Sequence, residues 1–308
     1  MSTKTKVSIG LPVYNGEQFI REKLESLISL PFNDFELIIS DNASTDSTPL
    51  ICEEFAKKDN RICYIRQKKN IGPLPNFRFV LEEAKSDYFV WTAVDDKMSP
   101  GFLEKNIKIL ESKKNIVCSI SKIERYGTKI NMFKPDPSDT YLQKLYKKIR
   151  RHFRTYGAVP LSGSFEKKAG IFLRRSSGQS VYGVFRTDLL KNCIEKLWDE
   201  KVGFELGVFL NILRHGDLYV LDEVLLFCWD RGVSSTGFIQ AYREKRISLL
   251  ELFFPFFYHF TWCAKNLGIK FILKNLDHFL WLNCWVPIMV PQELAQMLKD
   301  KISRSKND

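Results

Sequence analysis

Strand-like and helix-like segments alternate from residue 6 to residue 123, and that beat admits few folds. A buried strand is expected over residues 6–12. A helix follows over 17–30, with Phe19, Ile20, Leu24, Leu27 and Ile28 on one face. A short apolar run at 35–40 reads as the second strand. Asp46, Ser47, Thr48 and Pro49 then open a second helix, with Asp46 as its expected cap. Further strands are expected at 62–66, 88–94 and 116–123, and further helices at 75–84 and from Ser99 and Pro100 to 112. Such alternation gives an α/β fold with a largely parallel sheet flanked by helices.

Parallel strands end on one edge of a sheet, and ligands of open α/β sheets bind there. The residues that follow the expected strands are Val13 to Gly16, Asp41 to Thr45, Gln67 to Gly72, and Asp95 with Asp96. The polar and glycine-containing turns of this half therefore share one rim. Asp95 and Asp96 are the sharpest feature. Two adjacent carboxylates repel one another, and a divalent cation relieves that. Mg²⁺ or Mn²⁺ held by one or two carboxylates carries substrate phosphates on its remaining sites. The pair thus points to a nucleoside diphosphate.

These segments resemble the inverting glycosyltransferases of family 2, which have the GT-A fold. The likeness rests on residues 7–16 (VSIGLPVYNG), 35–46 (FELIISDNASTD), Asn70 to Gly72, and Ala93 to Asp96. It spans about residues 6–235 and is strong to about residue 110. The resemblance implies that Pro12, Val13, Tyr14 and Asn15 wall the nucleotide base, with Glu17 close by. It implies that Asp41 hydrogen-bonds the base, usually uracil, and that Arg66 and Asn70 lie in the loop closing over the nucleoside. Asp95 would meet the ribose or the metal, and Asp96 would ligate the metal. A catalytic carboxylate is expected at the start of a later helix, where Glu205 fits. Near the metal the family often carries a histidine after a late strand. This chain has Asp230 there, which can ligate a hard cation, pair with Arg231 or end the strand.

The second half is read more coarsely. Strands are expected at 180–186, 218–221 and 224–229, and helices at 188–196 and 204–214. Beyond residue 237 the chain turns helical and aromatic. Domain boundaries are accordingly expected at 1–238 for the catalytic domain and 239–308 for a helical appendage that meets a membrane or a second copy of the chain.

Charge adds a partner class. The net charge is +11. From Thr140 to Arg175 there are ten Lys or Arg against one acid, Glu166, an excess of nine. Residues 141–155 carry Leu142, Leu145, Tyr146, Ile149 and Phe153 at helical spacing, with basic residues between them. This is either a surface for anionic lipid or a solvated face of a core helix. Aromatics at 252–258, Trp262, Trp281 and Trp285 near Lys265, Lys270 and Lys274 resemble interfacial anchors, or else pack internally or in a dimer.

No apolar run is long enough for a simple membrane-spanning helix, and, because the first residues run straight into a strand, no signal peptide is expected. Seven scattered cysteines with no paired spacing read as reduced, buried thiols. The expectation is a cytoplasmic enzyme on the inner membrane face. It would use Mn²⁺ or Mg²⁺ and transfer a sugar, most simply from a UDP-sugar, to a hydroxyl of a lipid-linked or cell-surface glycan. A polyprenyl-phosphate monosaccharide synthase is one alternative. A basic nucleic-acid-binding protein is the other, and the acidic rim argues against nucleic acid.

Overall fold

A computed structural model describes residues 4–127, 136–145, 147–148, 157–175, 178–194, 204–229 and 257–284. The chain divides into two compact units, one of residues 1–126 and 157–229, the other of 127–156 and 230–308. Residues 127–156 thus group with the C-terminal part.

The first unit is built on an eight-stranded sheet. Its elements begin β1 (Val7–Val13), α1 (Glu17–Ile28), β2 (Phe35–Asp41), α2 (Thr48–Lys58), β3 (Ile62–Arg66), α3 (Pro73–Glu82) and β4 (Tyr88–Trp91). They continue with β5 (Lys97–Met98), α4 (Phe102–Ser112), β6 (Ile116–Tyr126), α5 (Phe165–Arg175), a 3₁₀ turn at Gly178–Tyr182 and β7 (Val184–Arg186). The last are α6 (Thr187–Ile194), α7 (Phe204–Ile212) and β8 (Asp217–Trp229). The strand order is β3-β2-β1-β4-β7-β6-β8-β5. Strands β3, β2, β1 and β4 run parallel, as expected from the alternation. β7 enters antiparallel between β4 and β6, and β5 pairs antiparallel with β8, so the sheet is mixed.

Apolar burial holds the parallel half. Ile20, Leu24 and Leu27 of α1 are buried, as are Val7, Ile9 and Leu11 of β1. Each such side chain contributes about 1.5–3 kcal/mol relative to exposure. Gly10 is small for a reason: a Cβ there would come within 2.8 Å of both Phe89 and Val80, so α3 packs close on the sheet. Trp91 centres the core. It meets Phe89 edge-on at 4.8 Å and donates its indole N–H to the Phe77 carbonyl at 3.0 Å.

Several boundaries differ from the sequence reading. β4 ends at Trp91, three residues early, and Thr92 to Asp96 form a turn. β6 runs on to Tyr126 because β8 pairs along its length. The two expected strands at 218–221 and 224–229 are one, β8, with pairing irregularities that absorb Asp222 and Glu223. Those acids project outward to Lys122 and Lys105. The strand expected at 180–186 is only Val184–Arg186, preceded by the 3₁₀ turn. Of the cysteines, Cys63 and Cys284 are exposed rather than buried.

In the second unit, residues 141–145 and 147–148 are helical, and the rest of the expected basic helix lies outside the described residues. Lys147 spends its charge on Asp139 at 2.7 Å. Three helices follow, α8 (Phe257–Leu267), α9 (Ile269–Lys274) and α10 (Leu276–Cys284). Trp262 is buried and Trp281 stacks on His278, so these two do not stand out as free anchors. Trp285 lies outside the described residues.

Candidate active site

The C-terminal ends of β1, β2 and β3 are stitched into one rim. Asp41 closes β2 and is fully buried. Its Oδ1 accepts the Ser44 amide at 2.9 Å and its Oδ2 accepts the Tyr64 hydroxyl at 3.0 Å. Burial, with the Asp41 charge beside it, drives the Tyr64 phenol well above its usual range. Arg66 lies 3.6 Å from Asp41 and donates to the Ser44 carbonyl at 2.8 Å. Asn42 donates to Asn70 Oδ1 at 3.0 Å and accepts the Ile71 amide at 2.8 Å, which fixes the loop after β3. Asn15 sits in the left-handed region at φ 49°, donates its amide to Ser44 Oγ at 2.8 Å and accepts the Thr45 amide at 2.9 Å. Glu17 accepts the Ser47 amide at 3.0 Å. Pro12 is half-buried, Val13 buried, and Tyr14 is 50% exposed.

Asp46 takes a wider role than capping α2. The N-cap residue is Ser47, whose side chain makes no capping bond. Asp46 instead accepts the Thr48 amide through one oxygen and the Glu17 amide through the other, both at 3.0 Å. One carboxylate therefore serves the N-termini of α1 and α2, where the helix dipoles favour negative charge.

Among the described residues Ala43, at φ 60°, joins Asn15 as a non-glycine residue in the left-handed region. Such strain collects at functional sites.

Both Asp41 oxygens are engaged, Oδ1 by the Ser44 amide and Oδ2 by the Tyr64 hydroxyl. Asp41→Asn replaces an acceptor facing Tyr64 and Arg66 with a donor. The expected result is a loss of about 1–3 kcal/mol of stability from imperfectly paired buried groups, read by urea melts. A variant as stable as the parent would show that the Asp41 hydrogen bonds add nothing to stability.

The acidic turn stands beside this rim, because β4 neighbours β1 on the side away from β2. Two strand spacings separate β2 from β4, about 10 Å. Asp95 and Asp96 are both half-buried. Three elements hold the turn. From β8, the Trp229 amide donates to Asp96 Oδ1 at 2.9 Å. From β6, Tyr126 donates its hydroxyl to the Asp95 carbonyl at 2.5 Å. From α1, Lys23 donates to Thr92 Oγ1 at 2.6 Å and to the Asp96 carbonyl at 2.7 Å. Burial, then the neighbouring Asp95, pushes Asp96 up to about 6, against the pull of Lys23 and the Trp229 amide. Burial also raises Asp95. It lowers Lys23 to about 8, although the two carboxylates oppose this. Phe19, Val94, Lys97 and Tyr126 line a small pocket with these groups.

Among the described residues no cluster of three or more potential ligands forms. Two hard carboxylates are what Mg²⁺ or Mn²⁺ needs when phosphates complete its shell, so the donor set fits such an ion. Asp230, the expected third ligand, lies outside the described residues. Glu205 is the second residue of α7, and its side chain is likewise outside the description. Sequence reasoning missed Lys23, Tyr64, Tyr126 and Trp229. Lys23 carried a signal: it falls three residues after Ile20 on the apolar face of α1.

The glycosyl transferase family 2 profile matches residues 8–168, just over half the chain. The chain belongs to this family. An uncharacterized glycosyltransferase of Rickettsia typhi is 31% identical over 134 residues, covering 42% of this chain and 41% of the relative. Glycosyltransferase GlyA of Streptococcus pneumoniae is 28% identical over 151 residues, 48% of this chain and 21% of its own. The chain thus spans well under two thirds of the length of these relatives. Among solved structures, Staphylococcus aureus TarS 1–349 in complex with UDP-GlcNAc superposes with a TM-score of 0.53 at 20% identity, covering 89% of this chain and 78% of that 1–349 chain. Mannosyltransferase PcManGT of Pyrobaculum calidifontis, in complex with GDP-Man and Mn²⁺, gives 0.53 at 17% identity, covering 97% and 76%. At these identities the likeness establishes the GT-A fold of this family 2 member.

Proposed function

We propose that this chain is an inverting glycosyltransferase that moves a sugar from a nucleotide sugar, most simply a UDP-sugar, to a hydroxyl of a glycan or lipid-linked acceptor. One observation carries the reading. A closed polar rim around Asp41 and a separately braced acidic turn flank β1 on the same sheet edge, spaced for a base at one end and a diphosphate at the other. Family 2 membership and neighbours crystallised with UDP-GlcNAc and with GDP-Man and Mn²⁺ support it.

In this reading Pro12, Val13, Tyr14, Asn15 and Glu17 shape the base site together with Asp41, Arg66 and Asn70. Tyr64 covers Asp41 and must give way for that carboxylate to meet a base directly. Asp95 and Asp96 would hold Mn²⁺ or Mg²⁺, with Asp230 available as a further oxygen ligand. When bound, the cation neutralises charge developing on the departing diphosphate. Glu205 accepts the proton of the acceptor hydroxyl as that oxygen attacks the anomeric carbon. The test is a panel of nucleotide sugars with Mn²⁺ or with chelator, scored for release of nucleoside diphosphate. Cation-dependent release from one donor is expected. Release from none, with polyprenyl phosphate and glycan acceptors both supplied, would sink the reading.

The acceptor side rests on the second unit. Ile269 and Leu273 of α9 are both 62% exposed, and Leu276 and Leu280 of α10 are 40% and 56% exposed. Exposed Lys265, Lys270 and Lys274 flank them, with Asp277 the acid between. Exposed apolar residues with exposed lysines among them fit the anionic surface of a membrane. No helix among the described residues is long and apolar enough to cross one. Each lysine near such a surface contributes about 1 kcal/mol and salt screens it. Flotation with phosphatidylglycerol vesicles should therefore recover the protein at low salt. Ile269→Glu with Leu273→Glu should cut partitioning at least about tenfold, since two apolar contacts become two repulsive charges. Protein left wholly in the aqueous fraction would rule the surface out. A concentration-dependent dimer that the same changes disrupt would assign these exposed residues to a second copy.

A further inference from the structure

Lys23 is the one charged residue on the buried face of α1, and it is 4% exposed. Its ammonium donates to Thr92 Oγ1 and to the Asp96 carbonyl, at 2.6 and 2.7 Å. These acceptors bracket the acidic turn, for Thr92 follows β4 and Asp96 precedes β5. Glu22, the preceding helix residue, takes Lys97 at 2.7 Å just past the turn. α1 therefore grips the turn at both of its ends.

Packing alone gives no reason for an ammonium here. Stripping its hydration is costly, and one hydroxyl with one carbonyl repays it poorly, whereas an apolar side chain would fill the same face without that cost. The acidic pair supplies what is missing, since both half-buried carboxylates attract the ammonium. We infer that Lys23 is a positioning residue. It holds the turn backbone from beneath and balances Asp95 and Asp96 electrostatically, so that both carboxylates keep one arrangement for the cation and the diphosphate. The role rests on the reading of this turn as the diphosphate-cation site. It assigns to α1 a function in donor binding beyond its part in the core.

The full chain, Lys23→Met and Lys23→Gln decide it. Met keeps the length and loses charge and donors; Gln keeps donors and loses charge. Circular dichroism melts establish folding, and calorimetry measures UDP binding with and without Mn²⁺. Both folded variants should bind UDP with Mn²⁺ about 10–100-fold more weakly, the range for partners behind metal ligands, and bind UDP alone as the parent does. A folded variant within about twofold of the parent in Mn²⁺-dependent binding overturns the role. Equal loss with and without Mn²⁺ overturns it too, because it reports general damage. If neither variant folds, the lysine is structural and the inference fails. A parent that binds UDP no better with Mn²⁺ removes the site assignment itself, and that result needs no variant.

Discussion

Asp95→Asn together with Asp96→Asn is expected to abolish Mn²⁺-dependent UDP binding and sugar transfer while the first unit stays folded. Asparagine is the better probe than alanine for a physical reason. Asp96 Oδ1 accepts the Trp229 amide, and an asparagine carbonyl can still accept it. Alanine would leave that amide unpaired. The double change does remove both countercharges of Lys23, so some stability should be lost. The carboxylates also repel each other, and losing that repulsion offsets part of the cost. Charge stabilisation of a leaving group by a bound cation is worth several kcal/mol, and each 1.36 kcal/mol is tenfold in rate. Turnover should therefore drop by at least about 10²-fold. Calorimetry with UDP and Mn²⁺, beside a thermal melt, separates loss of site from loss of fold. A folded double variant with parental Mn²⁺-dependent affinity would place the cation elsewhere.

The parallel half of the sheet was legible because its signals are local. β1 and β2 are apolar runs with polar turns behind them, and α1 repeats its apolar residues at helical spacing. Where the sequence reading went astray, the deciding interaction was distant. Thr92, Ala93 and Val94 look like strand, but the chain leaves the sheet after Trp91, in the turn that Lys23, Tyr126 and Trp229 brace. A strand is expected over 180–186, but β7 is only three residues long, held between β4 and β6, because the residues before it turn as a 3₁₀ helix. Asp222 and Glu223 read as a break, yet β6 pairs on both sides of them and the strand continues. The site followed the same rule. Asp41, Asn70, Asp95 and Asp96 were visible as turn residues after strands. Tyr64, Tyr126 and Trp229 were not, because each matters through a partner at least 23 residues away.

Glu205→Gln should separate donor binding from chemistry. Glu205 is the second residue of α7, in the first turn of a helix. An ionised carboxylate can take a proton, whereas the nearly isosteric amide cannot. Glutamine also preserves length and polarity, so helix and fold should persist. UDP binding with Mn²⁺ should stay parental, because the acidic turn and the Asp41 rim are untouched. Turnover with a hydroxyl acceptor should fall about 10²–10⁴-fold, the usual contribution of a general base. The loss should appear in kcat rather than in the donor KM, since the interaction is made in the transition state. The acceptor supplies the control. A phosphate is already ionised at neutral pH and needs no base to attack. If the variant works normally on polyprenyl phosphate, the chain is a lipid-phosphate monosaccharide synthase and Glu205 has another task. If it fails on a glycan hydroxyl while still hydrolysing donor slowly, the carboxylate is the base and the acceptor is a sugar.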